Sequence, residues 1–314
     1  MSSQYGKPEV RQFKDGKTGA VTMQFDDSMM SQADAAIPLM NERGLVGTFF
    51  VNPGSDRYQN RRETWEVICP KFGHELANHT WRHEGAKDMA EAEREIGDTS
   101  KHIWKLYPDQ SRLLPFAGGG GTTWGPTREQ IAELTIKYFL FRRPSLASIS
   151  EEGETAPNIT TFPQRAIDEH IWFPVHFHGI GSEWITTSKE RFVELLNFLV
   201  AHRDQLWIAT EGAAYRYQQE YQAVSNVTLS NPTGNSFSVA VTCDESKVNT
   251  YGRPFTEIYC GPLTVRAQVP DSWSGLKMTQ EMFFGSGKAI TADGKKYAQF
   301  DVRPSLKPAV VTKD

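Results

Sequence analysis

Gly19-Ala20-Val21-Thr22-Met23-Gln24-Phe25-Asp26-Asp27-Ser28 is an apolar run that ends on two adjacent carboxylates. Its alternation over 19–25 predicts a strand. Residues 31–43 then carry apolar side chains at helical spacing and stop at Gly44. Residues 46–51 are β-branched and aromatic, and Asn52-Pro53-Gly54 reads as a turn. Strand, helix and strand in this order form the unit from which parallel sheets are built.

The same order continues down the chain. Helices are predicted over 62–72, 88–107, 126–137, 188–202 and 211–222, and strands over 75–78, 113–117, 138–142, 171–177 and 205–209. Seven or eight such units in this length point to a distorted (β/α) barrel, an α/β fold, rather than an open sheet. After 224 the pattern changes. Strand-like runs at 227–229, 237–243, 256–269, 277–284 and 297–302 are separated by Gly, Pro, Asn and Asp. They predict a small antiparallel β-sandwich. The expected organisation is therefore a catalytic domain over 1–223 and an accessory domain over 224–314.

Composition narrows the function classes. With 314 residues, 39% of them hydrophobic, the chain can bury the core of one large domain and a small one. A net charge of -4 and the lack of a basic stripe argue against nucleic acid as partner. No apolar run approaches the roughly 20 residues of a membrane span. Residues 1–18 lack the apolar core of a signal peptide, so the chain reads as cytoplasmic or as a mature secreted form. Cys243 and Cys260 lie in strand-like runs where they could pair, but the odd count, with Cys69 alone, favours free thiols.

A second motif, Asn78-His79-Thr80-Trp81-Arg82-His83, follows the strand predicted at 75–78. Two imidazoles and one carboxylate make a metal site with open positions, and a second carboxylate is then free to act as a base on water. Each motif alone is weak: Asp and Ser also cap helices, and His-x-x-x-His arises by chance. Both, however, follow predicted strands, and loops after strands form the active face of such barrels. Zinc suits the donors first; cobalt, nickel or iron also fit. A third motif, His176-Phe177-His178-Gly179-Ile180-Gly181, offers an acid.

Gly118–Gly121 lacks the Lys-Ser/Thr of a phosphate loop and suits close approach of backbone to a substrate. No Gly-x-Ser-x-Gly elbow is present, which argues against a serine hydrolase. Phe116, Trp124 and Trp184 are candidates to stack on a sugar or line an acyl pocket, with plain packing as the alternative for the two tryptophans.

Over roughly 18–215 the chain resembles the polysaccharide deacetylases of the NodB-homology type, carbohydrate esterase family 4. Gln24-Phe25-Asp26-Asp27 is similar to their first motif, His79-Thr80-Trp81-Arg82-His83 to their second, and His178 to the histidine of their last. The resemblance implies that Asp27, His79 and His83 hold one divalent metal, Asp26 is the general base and His178 the acid. It implies removal of acetyl groups from a carbohydrate: N-deacetylation of an amino sugar first, O-acetyl ester cleavage of a xylan-type polymer second, and a non-catalytic carbohydrate-binding protein third. Two departures stand out. Arg112 lies one residue too far from Pro115 to match the family's third-motif arginine, so Arg142 or Arg143, at the end of the strand at 138–142, is the candidate for that charge, Arg143 first. The fourth-motif Asp-Trp pair is missing, with Asp168 a candidate substitute.

Overall fold

The computed structural model describes residues 5–108, 111–144, 147–149, 158–259 and 261–314. Its strands in chain order are β1 (Glu9–Val10), β2 (Gly19–Asp26), β3 (Thr48–Val51), β4 (Glu75–Asn78), β5 (Leu114–Phe116), β6 (Leu140–Arg142), β7 (Ala147–Ser148), β8 (Trp172–Phe177) and β9 (Leu206–Ala209). They continue with β10 (Val224–Ser230), β11 (Ser236–Cys243), β12 (Leu263–Gln268), β13 (Gly275–Gln280), β14 (Phe283–Ala292), β15 (Lys295–Val302) and β16 (Ala309–Lys313). Two compact units result. One holds 19–214; the other joins 1–18 to 215–314.

In the first unit, β2 is the hub. It pairs in parallel with β3 at its C-terminal end, with β9 at its N-terminal end and with β8 along most of its length. The order β6-β5-β4-β3-β2-β8-β7 makes a curled, half-barrel sheet. This is the distorted (β/α) barrel that the strand–helix alternation predicts.

All eight residues of β2 are buried, but its two faces differ. Val21, Met23 and Phe25 enter the main apolar cluster. Phe25 stacks on Phe49 at 4.7 Å and on Phe177 at 5.3 Å, and meets Phe192 edge-on at 5.9 Å. The period of two puts Thr22, Gln24 and Asp26 on the opposite face. There they join other buried polar side chains: Thr48, Glu75, His176 and Glu211. Glu211 accepts from Thr22 Oγ1 at 3.0 Å and from Gln24 Nε2, while Glu75 accepts from Thr48 Oγ1 at 2.9 Å. A polar floor of this kind, beneath the strand ends, leads to the site.

Three helices of this unit contain one wide π turn each, at Gln32–Ala36, Thr64–Ile68 and Arg94–Asp98. Such turns recur beside functional sites. The helix Thr161–Asp168 lies in a stretch for which no element was predicted.

The second unit is one antiparallel sheet, β1-β12-β15-β14-β13-β16-β11-β10, nearly closed on itself. Phe237 meets Trp273 at 5.6 Å and Phe300 at 5.9 Å in its core. Tyr251 and Tyr259 are also buried, whereas Phe284 is exposed. Three expectations change here. The first 18 residues group with this unit rather than with the barrel, because β1 adds to the edge of β12. The run at 256–269 divides into a short helix, Phe255–Ile258, and β12. The run at 277–284 is a hairpin: Glu281 turns at φ 52 between β13 and β14. Cys260 and any pairing it makes lie outside the described residues.

Candidate active site

The site begins where β2 ends. Asp26 is its last residue, and Asp27 and Ser28 leave it with φ of 74 and 50. After β4, Thr80 and His83 likewise have φ of 70 and 63. Left-handed non-glycine residues cost on the order of 1–3 kcal/mol each, and persist when their surroundings fix them. Here Gln32 Nε2 donates to the carbonyls of Asp26 and His178 at 2.5 and 3.0 Å. Asn52 Nδ2 donates to the carbonyls of His79 and Thr80 at 2.5 and 3.1 Å. Asn78 Oδ1 accepts from Thr80 N at 2.9 Å, and Thr80 Oγ1 from His83 N at 3.1 Å. Gly119 completes the cradle: a Cβ there would meet the His83 ring at 2.8–3.0 Å.

These loops bring Asp27, His79 and His83 together. Asp27 Oδ1 lies 3.2 Å from His79 Nε2 and 3.5 Å from His83 Nε2. His79 Nδ1 is 2.8 Å from the carbonyl of Ala117, so it carries the ring proton and leaves Nε2 free as a ligand. Two imidazole nitrogens and a carboxylate oxygen within 4.8 Å of one another fit a divalent metal of the zinc type.

Asp26 faces other partners. Arg143 donates to both its oxygens, at 2.6 and 2.7 Å. The Arg143 guanidinium also lies over the Phe50 ring at 4.6 Å, and its own backbone N–H bonds Phe116 O at 3.2 Å, extending the β5–β6 pairing. Burial alone would raise the Asp26 carboxyl, but His176, His79 and Arg143 together hold it well below the usual range. Asp27 is likewise lowered: burial opposes, and His79 outweighs it. His79 is raised, because the two aspartates overcome its burial.

His178 follows β8, with Nε2 4.0 Å from Asp27 Oδ2. Burial, aided by His176, pushes it down to about 4. The Trp184 ring stands 5.2 Å from it and is 51% exposed. A groove of about 480 Å³ runs past Asp27, Asn52, Arg57, Arg82, His83 and Trp184. A larger cleft of about 860 Å³, beside Trp81, Lys87 and Glu95, is lined by none of the six converging residues.

Sequence reasoning thus places Asp26, Asp27, His79, His83, Arg143 and His178 in one cluster, with Trp184 at its mouth. Phe116 is instead in the apolar core, and Trp124 packs against that core with its indole N–H on Thr122 Oγ1 at 3.0 Å. Arg112 lies over the Trp104 ring at 5.3 Å. Asp168 is exposed at a helix end and accepts from Gln164. One site residue was named without a role: His176, whose Nε2 is 3.1 Å from Asp26 Oδ2. Its signal was its place near the end of a predicted strand, two residues before His178, whose ring stands 4.6 Å away.

Residues 13–139 match the sequence profile of the family described as Polysaccharide deacetylase. Among curated proteins, a gellan lyase from a Bacillus species is 24% identical over 343 residues, covering 94% of this chain. The chain spans only 13% of that relative's length. Similar solved structures include the peptidoglycan deacetylase PdaC from Bacillus subtilis, at TM-score 0.45 and 17% identity, covering 63% of this chain and 90% of that one. They also include a family 4 carbohydrate esterase from Streptomyces lividans, at TM-score 0.40 and 17% identity, covering 60% and 91%. The chain carries a polysaccharide deacetylase domain, as its residues 13–139 register.

Proposed function

We propose that the protein is a metal-dependent hydrolase that removes acetyl groups from a carbohydrate, with N-acetylated amino sugars in an oligo- or polysaccharide as the first substrate class. The observation that carries this is the division of labour between two adjacent aspartates. Asp27 faces two imidazole nitrogens, whereas Asp26 is held by an arginine fork and stays ionised.

In this reading Asp27, His79 and His83 hold the metal, which when bound lowers the pKa of water and polarises the acyl carbonyl. Asp26 takes the proton of the attacking water. Arg143 keeps the Asp26 carboxylate oriented and charged. His178, across the site and neutral at rest, relays the proton taken up from the attacking water to the departing amine or alkoxide. Trp184, exposed at the mouth of the groove, offers an aromatic surface for a sugar. O-acetyl esters, as on xylan, suit the same groups, because acyl attack and leaving-group protonation are common to both.

The test is acetate release by metal-stripped protein with and without added zinc. The panel holds N-acetylglucosamine oligomers and acetylated xylan. Zinc-dependent release is expected, and the responding member separates amide from ester cleavage. No release by metal-loaded protein from any member would overturn the reading in favour of a sugar-binding protein.

A further inference from the structure

His176 has no part in the chemistry just described, yet it is among the better placed side chains in the barrel. It lies on β8 opposite Gln24 of β2, and its side chain is 8% exposed. Its buried Nε2 sits 3.1 Å from Asp26 Oδ2, and that carboxylate is the partner it faces. The His178 ring stands 4.6 Å away. A core imidazole with nothing to hold would leave this buried nitrogen an uncompensated desolvation cost. An aliphatic side chain would fill the space without it.

The sheet order adds a second argument. β8 lies on one side of β2, while β3, β4, β5 and β6, with Arg143 beyond it, lie on the other. Asp26 is therefore approached from both sides of its own strand: by the guanidinium fork and by an imidazole. The fork fixes the plane of the carboxylate. A second contact at Oδ2 stops the group from swinging with the arginine, and confines its accepting directions.

The geometry points to His176 as a second positioning residue for Asp26, acting with Arg143 to hold the base. The kinetic part of this rests on the deacetylase reading; the contact itself does not. Two experiments divide them. In protein labelled with 15N-histidine, the His176 ring signals are identified by their loss in His176→Gln. They should shift in Asp26→Asn, while those of His74, bonded to Gly47 and Asn41, stay put. Unmoved His176 signals overturn the proposal whether or not the protein turns over any substrate.

In turnover, His176→Leu should lower kcat by about 10- to 100-fold with KM little changed. His176→Gln, which can keep a donor near Oδ2, should recover most of that loss. An unchanged kcat in the leucine variant, or a loss that glutamine does not restore, would leave His176 as packing. Absence of activity in the wild-type protein counts against the deacetylase reading alone, and the ring signals still decide the contact.

Discussion

Arg143 grips both carboxylate oxygens of Asp26, at 2.6 and 2.7 Å, across 117 residues of chain. The fork is specific to a planar guanidinium; a lysine is a point charge and cannot reproduce it. Arg143→Lys should therefore lower kcat by roughly 10- to 100-fold. Metal content should stay unchanged, because the Arg143 guanidinium is engaged by Asp26 and the Phe50 ring rather than by Asp27, His79 or His83 among the described residues. Steady-state kinetics beside elemental analysis of the same preparation checks both halves. A fully active lysine variant would show that the fork is structural.

Asp26→Asn should remove turnover, by about 10²–10⁴-fold, while the protein still binds metal. The substitution keeps the shape of the side chain, but its single amide oxygen can accept only one of the two Arg143 N–H bonds. With that bond go the negative charge and the ability to take a proton. Retained activity would mean that another group deprotonates the water, and the pairing of roles between the two aspartates would fall.

How far the sequence carries this site can be seen from particular residues. β2 and the helix after it were legible because the two periods, 2 and 3.6, change cleanly at Asp26-Asp27. The grouping of Asp27, His79 and His83 was legible because candidate metal-binding side chains come from a few residue types at loop positions after strands. Arg143 was reachable as a charge at a strand end, but its partner was not, since the curl of the sheet closes a gap of 117 residues. Phe116 and Trp124 read as site residues because aromatic side chains serve cores and sugars alike, and only packing separates the two uses. The strand β1 is two residues long, too short for any period to show, and so the affiliation of 1–18 was hidden.

Removing the metal should stop turnover, and zinc should restore it. The donor geometry makes the prediction sharper. His79 is fixed by its Nδ1 contact with the Ala117 carbonyl at 2.8 Å, whereas His83 is held from one side by the open edge of Gly119. Thus His79→Ala and Asp27→Ala should each lose bound metal on dialysis. Gly119→Ala should weaken metal binding without abolishing it, because its Cβ would press on the His83 ring. Metal-to-protein ratios after dialysis at fixed free zinc would decide. Full retention in His79→Ala would remove it from the ligand set.

Beneath the site, Glu211 gives a stability prediction that needs no substrate. Burial, with the neighbouring Glu75, pushes its carboxyl up to about 8, although hydrogen bonds from Thr22 and Gln24 act the other way. The folded state therefore holds this proton where an unfolded glutamate, with a pKa near 4.3, has lost it. Stability from this group is fully present below the unfolded value and is lost as pH rises through about 8. The slope is at most about 1.4 kcal/mol per pH unit. Glu220 in the other unit is also raised to about 8, so the raw pH profile mixes the two. The difference between wild type and Glu211→Gln isolates Glu211. Near pH 5 the two proteins should melt at similar temperatures, and by pH 9 the glutamine variant should be the more stable, since it has no charge to bury. A constant difference in Tm across that range would mean that Glu211 is ionised in the folded barrel. It would then need a cationic partner beyond the hydroxyl of Thr22 and the amide of Gln24.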